Sequence, residues 1–232
     1  MVKRFPRAVP EVIWIVCVVE GKGTHLSFPG NSDQPGISFS QSDENEQSLE
    51  LFDRLGFRVW LQVEPVDVPV EILVDLILTQ YKKHPCVQGI GVDVEWHHSS
   101  DKPEGEAVSD AEATSWLSAI HKHNHHYRLF LKHWEPEKLP KSLRYGSLFV
   151  DDSQMFDSLE QMVEEFADWG RYYYPAPVAF QFGYPADKKW WSGFDDPPKA
   201  IGEAIIKEIP NVAGLYWVNF TALELFPPDL LD

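Results

Sequence analysis

The sequence predicts an α/β fold, a parallel eight-stranded (β/α)8 TIM barrel filling residues 1–232 as one domain. Three observations lead there. Short apolar runs alternate with amphipathic segments of helical period, eight such runs occur, and no linker, low-complexity tract or repeat marks a second domain. Alternation of this kind implies a parallel sheet with right-handed crossovers, and eight units suit a closed barrel better than an open doubly wound sheet. No G-x-G-x-x-G or G-x-x-x-x-G-K turn supports a nucleotide-binding open sheet.

The elements follow in order. "EVIWIVCVVE" (11–20) is the first strand and "THLSFP" (24–29) a short second one, followed by a long polar stretch, 30–48. Asp43 with Glu46 forms a capping box for a helix that buries Leu49, Phe52 and Leu55 and stops at Gly56. Strand "FRVWLQVEP" (57–65) comes next, and Pro69 opens an apolar helix running to about Lys83. Strand "CVQGIGVDVEW" (86–96) precedes a helix capped by Ser109 and Glu112 that carries Trp116, Leu117 and Ile120. "YRLFLKHW" (127–134) and "SLFVDDSQ" (147–154) are strands joined by a short connection. Asp157 with Glu160 begins a periodic helix ended by Gly170, before strand "PVAFQFGYP" (177–185). Asp196 and Pro197 open the last long helix, and "NVAGLYWVNF" (211–220) is the eighth strand.

The formal net charge of −16 repels phosphate backbones and anionic lipid, so a neutral ligand is expected rather than nucleic acid or a membrane surface. No run approaches the ~20 apolar residues of a membrane span. Lys3 and Arg4 precede an apolar run, which reads as a buried strand rather than a secretory signal because Pro10 and Glu11 interrupt the approach. Cys17 and Cys86 lie in apolar contexts that favour buried free thiols. Compartment is left open: cytoplasmic, or secreted with a leader absent from this chain. Oligomeric state has no signature here, and no cofactor is implied.

In a (β/α)8 barrel the strand carboxyl ends form the reactive face, so polar residues should gather there. Glu20, Glu64, Asp93 and Glu95, Lys132 and His133, Asp151 and Asp152, Gln181 and Asn219 all fall late in their strands. His121, His123, His125 and His126 precede a strand, which assigns them to the opposite, structural end as a solvated turn.

The stretch "GIGVDVEWHH" (89–98) carries the chemistry. Alternation sends Asp93 and Glu95 to one face, about 6.6 Å apart along the strand at ~3.3 Å per residue, with Gly89 and Gly91 on the same side. Two acids so close in a dehydrated site raise the proton affinity of one, which keeps a neutral acid available to protonate a leaving oxygen.

"QGIGVDVEW" resembles the fourth-strand signature D-G-x-D-x-D-x-E of family-18 glycoside hydrolases, the chitinases and their relatives, with Gly89, Asp93 and Glu95 matching. "AGLYWVNF" is similar to that family's last strand, Trp217 matching the Trp that floors the sugar site. The resemblance implies Glu95 as general acid/base and Asp93 as the carboxylate orienting a substrate N-acetyl group, which would itself be the nucleophile. Gln88 and Gly91 stand where the family has acids, and no residue matches its sixth-strand Tyr, Tyr184 coming from the seventh.

Further substrate contacts are expected from Trp96, Gln181, Lys132, Asp151, Asp152 and Glu64. Flat indoles beside hydrogen-bonding acids suit the apolar faces of sugar rings. Two other readings stay open: a sugar-binding barrel without turnover, and a barrel enzyme using Mg2+ or Mn2+ on Glu64, Glu95, Asp151 or Asp152, and His133.

Overall fold

The computed structural model describes residues 4–226. Among them run β1 (Glu11–Glu20), β2 (Gly23–Leu26), β3 (Ile37–Phe39), α1 (Glu46–Leu55), β4 (Arg58–Val63), α2 (Val70–Tyr81), β5 (Val87–Asp93), α3 (Asp110–His123) and β6 (Arg128–Lys132). There follow β7 (Ser147–Asp151), α4 (Leu159–Tyr173), β8 (Val178–Phe182), α5 (Lys188–Trp191), α6 (Pro197–Glu208), β9 (Val212–Trp217) and α7 (Asn219–Leu225). The fold is α/β with mostly parallel strand pairing. The chain divides into two compact units, Val9–Leu148, and Phe149 onward together with the residues up to Ala8.

In the first unit β1, β4, β5 and β6 are neighbours in that order and all parallel. The expected second parallel strand is instead a hairpin arm: β2 lies antiparallel to β1, with Glu20 opposite Gly23 and Cys17 opposite Leu26. Only Gly21 and Lys22 join them, and Gly21 takes the left-handed φ of 61° that the turn requires. A parallel return needs a crossover of a dozen or more residues. The polar stretch contains β3, which pairs parallel with β2.

Register fixes which side chains share a face. Trp60 lies beside Gly89 and Gly89 beside Arg128, while Gln62 lies beside Gly91 and Gly91 beside Phe130. Alternation gives the other face to the buried aliphatics Leu61, Val63, Ile90, Val92, Leu129 and Leu131. On the glycine-bearing face a Cβ at Gly91 would fall 2.0 Å from the Phe130 ring, and one at Gly89 2.0 Å from Arg128 O. Gly91 leaves room for the Phe130 ring, which meets Trp60 edge to face at 5.4 Å, and Gly89 lets its strand lie against the Arg128 backbone. That face is filled by aromatics, and its polar residues come at the strand ends.

The helices show what their caps predicted, with corrections. Ser109 and Glu112 make the full reciprocal capping box of α3. At α1 the boundary residue is Asn45, while Asp43 accepts the N–H groups of Asn45 and Glu46 at 2.9 and 3.0 Å. Gly56 ends α1 at φ 70°. Leu49 is buried as expected, whereas Leu55, on the last turn, is 57% exposed.

In the second unit β7, β8 and β9 are parallel, with Asp151 opposite Phe180 and Phe182 opposite Trp217. α4 starts one residue later than expected, behind Ser158, whose hydroxyl accepts the Gln161 N–H. It also runs through Gly170 instead of stopping there. Gly170 is a packing glycine: a Cβ on it would lie 2.5 Å from Ile209 Cγ2. Stacked pairs Phe149–Tyr173 (4.1 Å) and Phe166–Phe180 (4.4 Å) tie α4 to its strands. The segment after β8 coils into a short turn and α5. Both cysteines are buried free thiols. No helix among the described residues is long and apolar enough to cross a membrane.

Candidate functional site at the ends of β4, β5 and β6

Three neighbouring parallel strands carry Gln62, Asp93 and Lys132 on their shared face, Asp93 and Lys132 as the last residues of β5 and β6 and Gln62 one residue before the end of β4. Lys132 Nζ lies 2.7 Å from Asp93 Oδ2, and the Gln62 amide donates to the same oxygen at 3.2 Å. All three are buried, Asp93 at 3% exposure. The pairing follows from register, because Asp93 and Lys132 are direct partners of the β5–β6 ladder. Gln62 was not singled out from sequence. Its signal was there: a lone amide in "RVWLQV", at the parity of Trp60.

Glu64 follows β4 by one residue and accepts the Val19 N–H at 2.8 Å. Burial holds its carboxyl above the usual carboxylate range, opposed by that hydrogen bond and by the charge of Lys132. Close by, Thr24 donates to Glu64 O at 2.9 Å and meets Cys17 Sγ at 2.7 Å. Burial pushes the Cys17 thiol up to about 12, so it is an inert core group rather than a nucleophile.

Glu95 is placed differently from expectation. β5 ends at Asp93, and Val94–Trp96 form a 3-10 turn. Strand alternation therefore stops between the two acids, and they do not rise side by side from one strand face. Glu95 and Trp96 are half-buried on that turn.

His133 does not suit the metal-ligand role considered for it. Its Nδ1 accepts the Glu135 N–H at 2.8 Å, its Nε2 faces Glu104 O at 3.4 Å, and its ring stacks on Trp134. Of the histidines expected in a solvated turn, His121 and His123 instead belong to the last turn of α3, reaching Tyr127 O and Asp75, and only His125 and His126 lie exposed beyond the helix.

The second unit holds the remaining expected residues. Asp151 ends β7, accepts the Ser153 N–H at 2.8 Å, and is held well above the usual carboxylate range by burial, with the charges of Asp152 and Glu165 adding to the effect. Asp152 is buried beside it. Gln181 and Tyr184 are brought together, the phenol donating to Gln181 Oε1 at 3.3 Å. Trp217 ends β9 with its indole N–H given to Thr221 Oγ1 at 2.9 Å and its ring edge-on to Trp191 and Phe182. Gly183 makes room for that ring, since a Cβ there would fall 2.3 Å from it.

No family model matches this chain, and no curated protein matches it. Among solved structures, a beta-glucuronidase from uncultured Clostridium sp. is similar, with a TM-score of 0.50 and 12% sequence identity. A distant structural neighbour is thus a glycoside hydrolase. The similarity covers 77% of this chain and 36% of that one, so this chain spans about a third of its length. At 12% identity the likeness is one of fold. The family-18 resemblance rests on Gly89, Asp93, Glu95 and Trp217 alone.

Proposed function

We propose that this chain is a carbohydrate-active α/β barrel, a glycoside hydrolase in which Glu95 is the general acid/base and whose sugar site lies over the ends of β4, β5 and β6. In this reading the chain is a single barrel domain, with the β1–β2–β3 extension in place of a second parallel unit. The observation that carries it is the Gln62–Asp93–Lys132 group, a set of charged and amide hydrogen-bonding groups gathered at the carboxyl ends of three adjacent parallel strands. Such strand ends are where barrel enzymes bind and react. Glu95 stands one turn beyond, half-buried, beside Trp96, whose flat ring suits a sugar face. Asp93, held by Lys132 and Gln62, would position the substrate or Glu95 rather than exchange protons itself. Trp217, Tyr184, Gln181, Asp151 and Asp152 are carried as further substrate contacts, and the ligand is an oligosaccharide or N-acetylated glycan.

Glu95→Gln is the test, on a panel of chromogenic aryl glycosides and N-acetylglucosamine oligomers. The substitution is expected to lower kcat by about 10²-fold or more while leaving KM nearly unchanged, because only the proton transfer is lost. Equal turnover by the variant rules the role out. A second reading is favoured by the buried Asp93–Lys132 pair, which ties up one acid of the expected couple: saccharide binding without turnover. Calorimetry separates the two, since that reading gives binding heats and no product from any glycan.

A further inference from the structure

The turn beyond Glu95 holds side chains that the carbohydrate reading leaves unused. His97 is buried, with Nε2 3.8 Å from Glu112 Oε1 and Nδ1 3.3 Å from Glu106 O. His98 is exposed, its Nδ1 3.5 Å from Asp67 Oδ1. One ligand atom from each of His97, His98 and Glu112 lies within 4.8 Å of the others, and among the described residues no other group of three His, Cys, Asp or Glu side chains gathers this way.

Three features give this group the construction of a metal site. First, Glu112 divides its two oxygens: Oε2 accepts the Ser109 N–H at 2.9 Å and the Ser109 hydroxyl at 2.6 Å, which fixes the carboxylate, while Oε1 is turned to His97. Second, a proton on His97 Nδ1 directed at Glu106 O leaves the Nε2 lone pair facing Glu112. A backbone carbonyl behind a ligating imidazole is the usual outer support of a metal-bound histidine. Third, the backbone is bent to bring the rings together. His98 and Val66 both have positive φ, 53° and 50°, and His98 N–H donates to Val66 O at 2.8 Å. Left-handed conformations are costly for non-glycine residues, above all for a β-branched one, and persist where the surroundings impose them. In extended chain consecutive side chains point apart. Here the two imidazole centroids are 4.2 Å apart.

We propose that His97, His98 and Glu112 bind a divalent transition-metal ion of the zinc class. Two imidazoles, a carboxylate and an open fourth position form a ligand set that zinc accepts. Ligand bonds of about 2.0–2.2 Å put tetrahedral donor atoms roughly 3.4 Å apart, so the site contracts on binding, chiefly by movement of the exposed His98. An open hollow of about 370 Å³ lined by Asp67, His98, Ser100, Asp101, Lys102 and Glu106 gives the ion a way in. Binding clamps the 3-10 turn that carries Glu95 to the first turn of α3.

The experiment is zinc titration of the full chain, first stripped with chelator and dialysed, in competition with a chromophoric chelator. The wild-type chain is expected to take up one equivalent of Zn2+ at this site. Glu112→Gln keeps the capping box, in which Gln serves as well as Glu, and His98→Gly keeps the left-handed backbone. Each should weaken zinc at least tenfold, roughly the loss seen when ligand support is removed, with the far-UV spectrum and Tm of the metal-free chain unchanged. His123→Ala, at the opposite end of the strands, should change nothing. No zinc uptake, unchanged affinity in either Glu112→Gln or His98→Gly, or a loss on His123→Ala alone would overturn the proposal.

Discussion

Two strand-end carboxylates, Asp93 in the first unit and Asp151 in the second, are buried to 3% and 1% exposure and are met by different partners. Asp93 Oδ2 receives an ammonium at 2.7 Å and an amide N–H at 3.2 Å. Asp151 Oδ1 receives one backbone N–H, and Oδ2 has no hydrogen-bond partner among the described residues. Burial therefore lifts Asp151 well above the carboxylate range, and neighbouring negative charge lifts it further. The comparison teaches that depth alone does not set what a strand-end acid can do. The group that register places across from it matters as much, and β6 offers Asp93 a lysine.

The largest effect that would break this contrast comes from removing the cation. Lys132→Met leaves a buried carboxylate without its counter-charge and is expected to cost about 3–5 kcal/mol in urea unfolding at pH 7. Adding Asp93→Asn should recover much of that loss. A Lys132→Met chain as stable as wild type would mean that the pair is solvated. Next comes the floor beneath the pair: Gly91→Ala forces a Cβ into the Phe130 ring and should cost at least about 1–3 kcal/mol by the same measurement.

The smallest effect has the opposite sign. Asp151 has a folded-state pKa above the unfolded value of about 3.9, so the folded chain holds the extra proton through that window, and stability is lost as pH rises through it. Asp151→Asn should accordingly raise Tm at pH 7 and change it little near pH 4. A drop in Tm at pH 7 would show that the Asp151 carboxylate is stabilised by partners, as Asp93 is.

Much of the fold could be read from sequence, and the failures have physical causes. The α/β alternation, the Ser109–Glu112 capping box and the parity of Gly89, Gly91 and Asp93 all follow from local pattern, which the chain obeys. The hairpin arm β2 was misread as a parallel strand although two residues cannot make a crossover; the apolar run outweighed the connection length. Glu95 left its expected face because the strand stops at Asp93, and strand ends have no strong residue signal in "VDVEW". The Asp93–Lys132 pair joins residues of different strands, which only inter-strand register brings together. Gly170 looked like a helix stop because its partner, Ile209, lies 39 positions away in a segment that local reading cannot connect to it.

The central claim is that sugar is handled at the ends of β4, β5 and β6. The most direct measurement is an amide and side-chain NMR titration of the chain with N-acetylglucosamine oligomers and mixed glycans. Saturable shifts centred on Glu64, Asp93, Glu95, Trp96 and Lys132 are the predicted result. Shifts confined to other surfaces, or no saturable shift with any glycan, would contradict it.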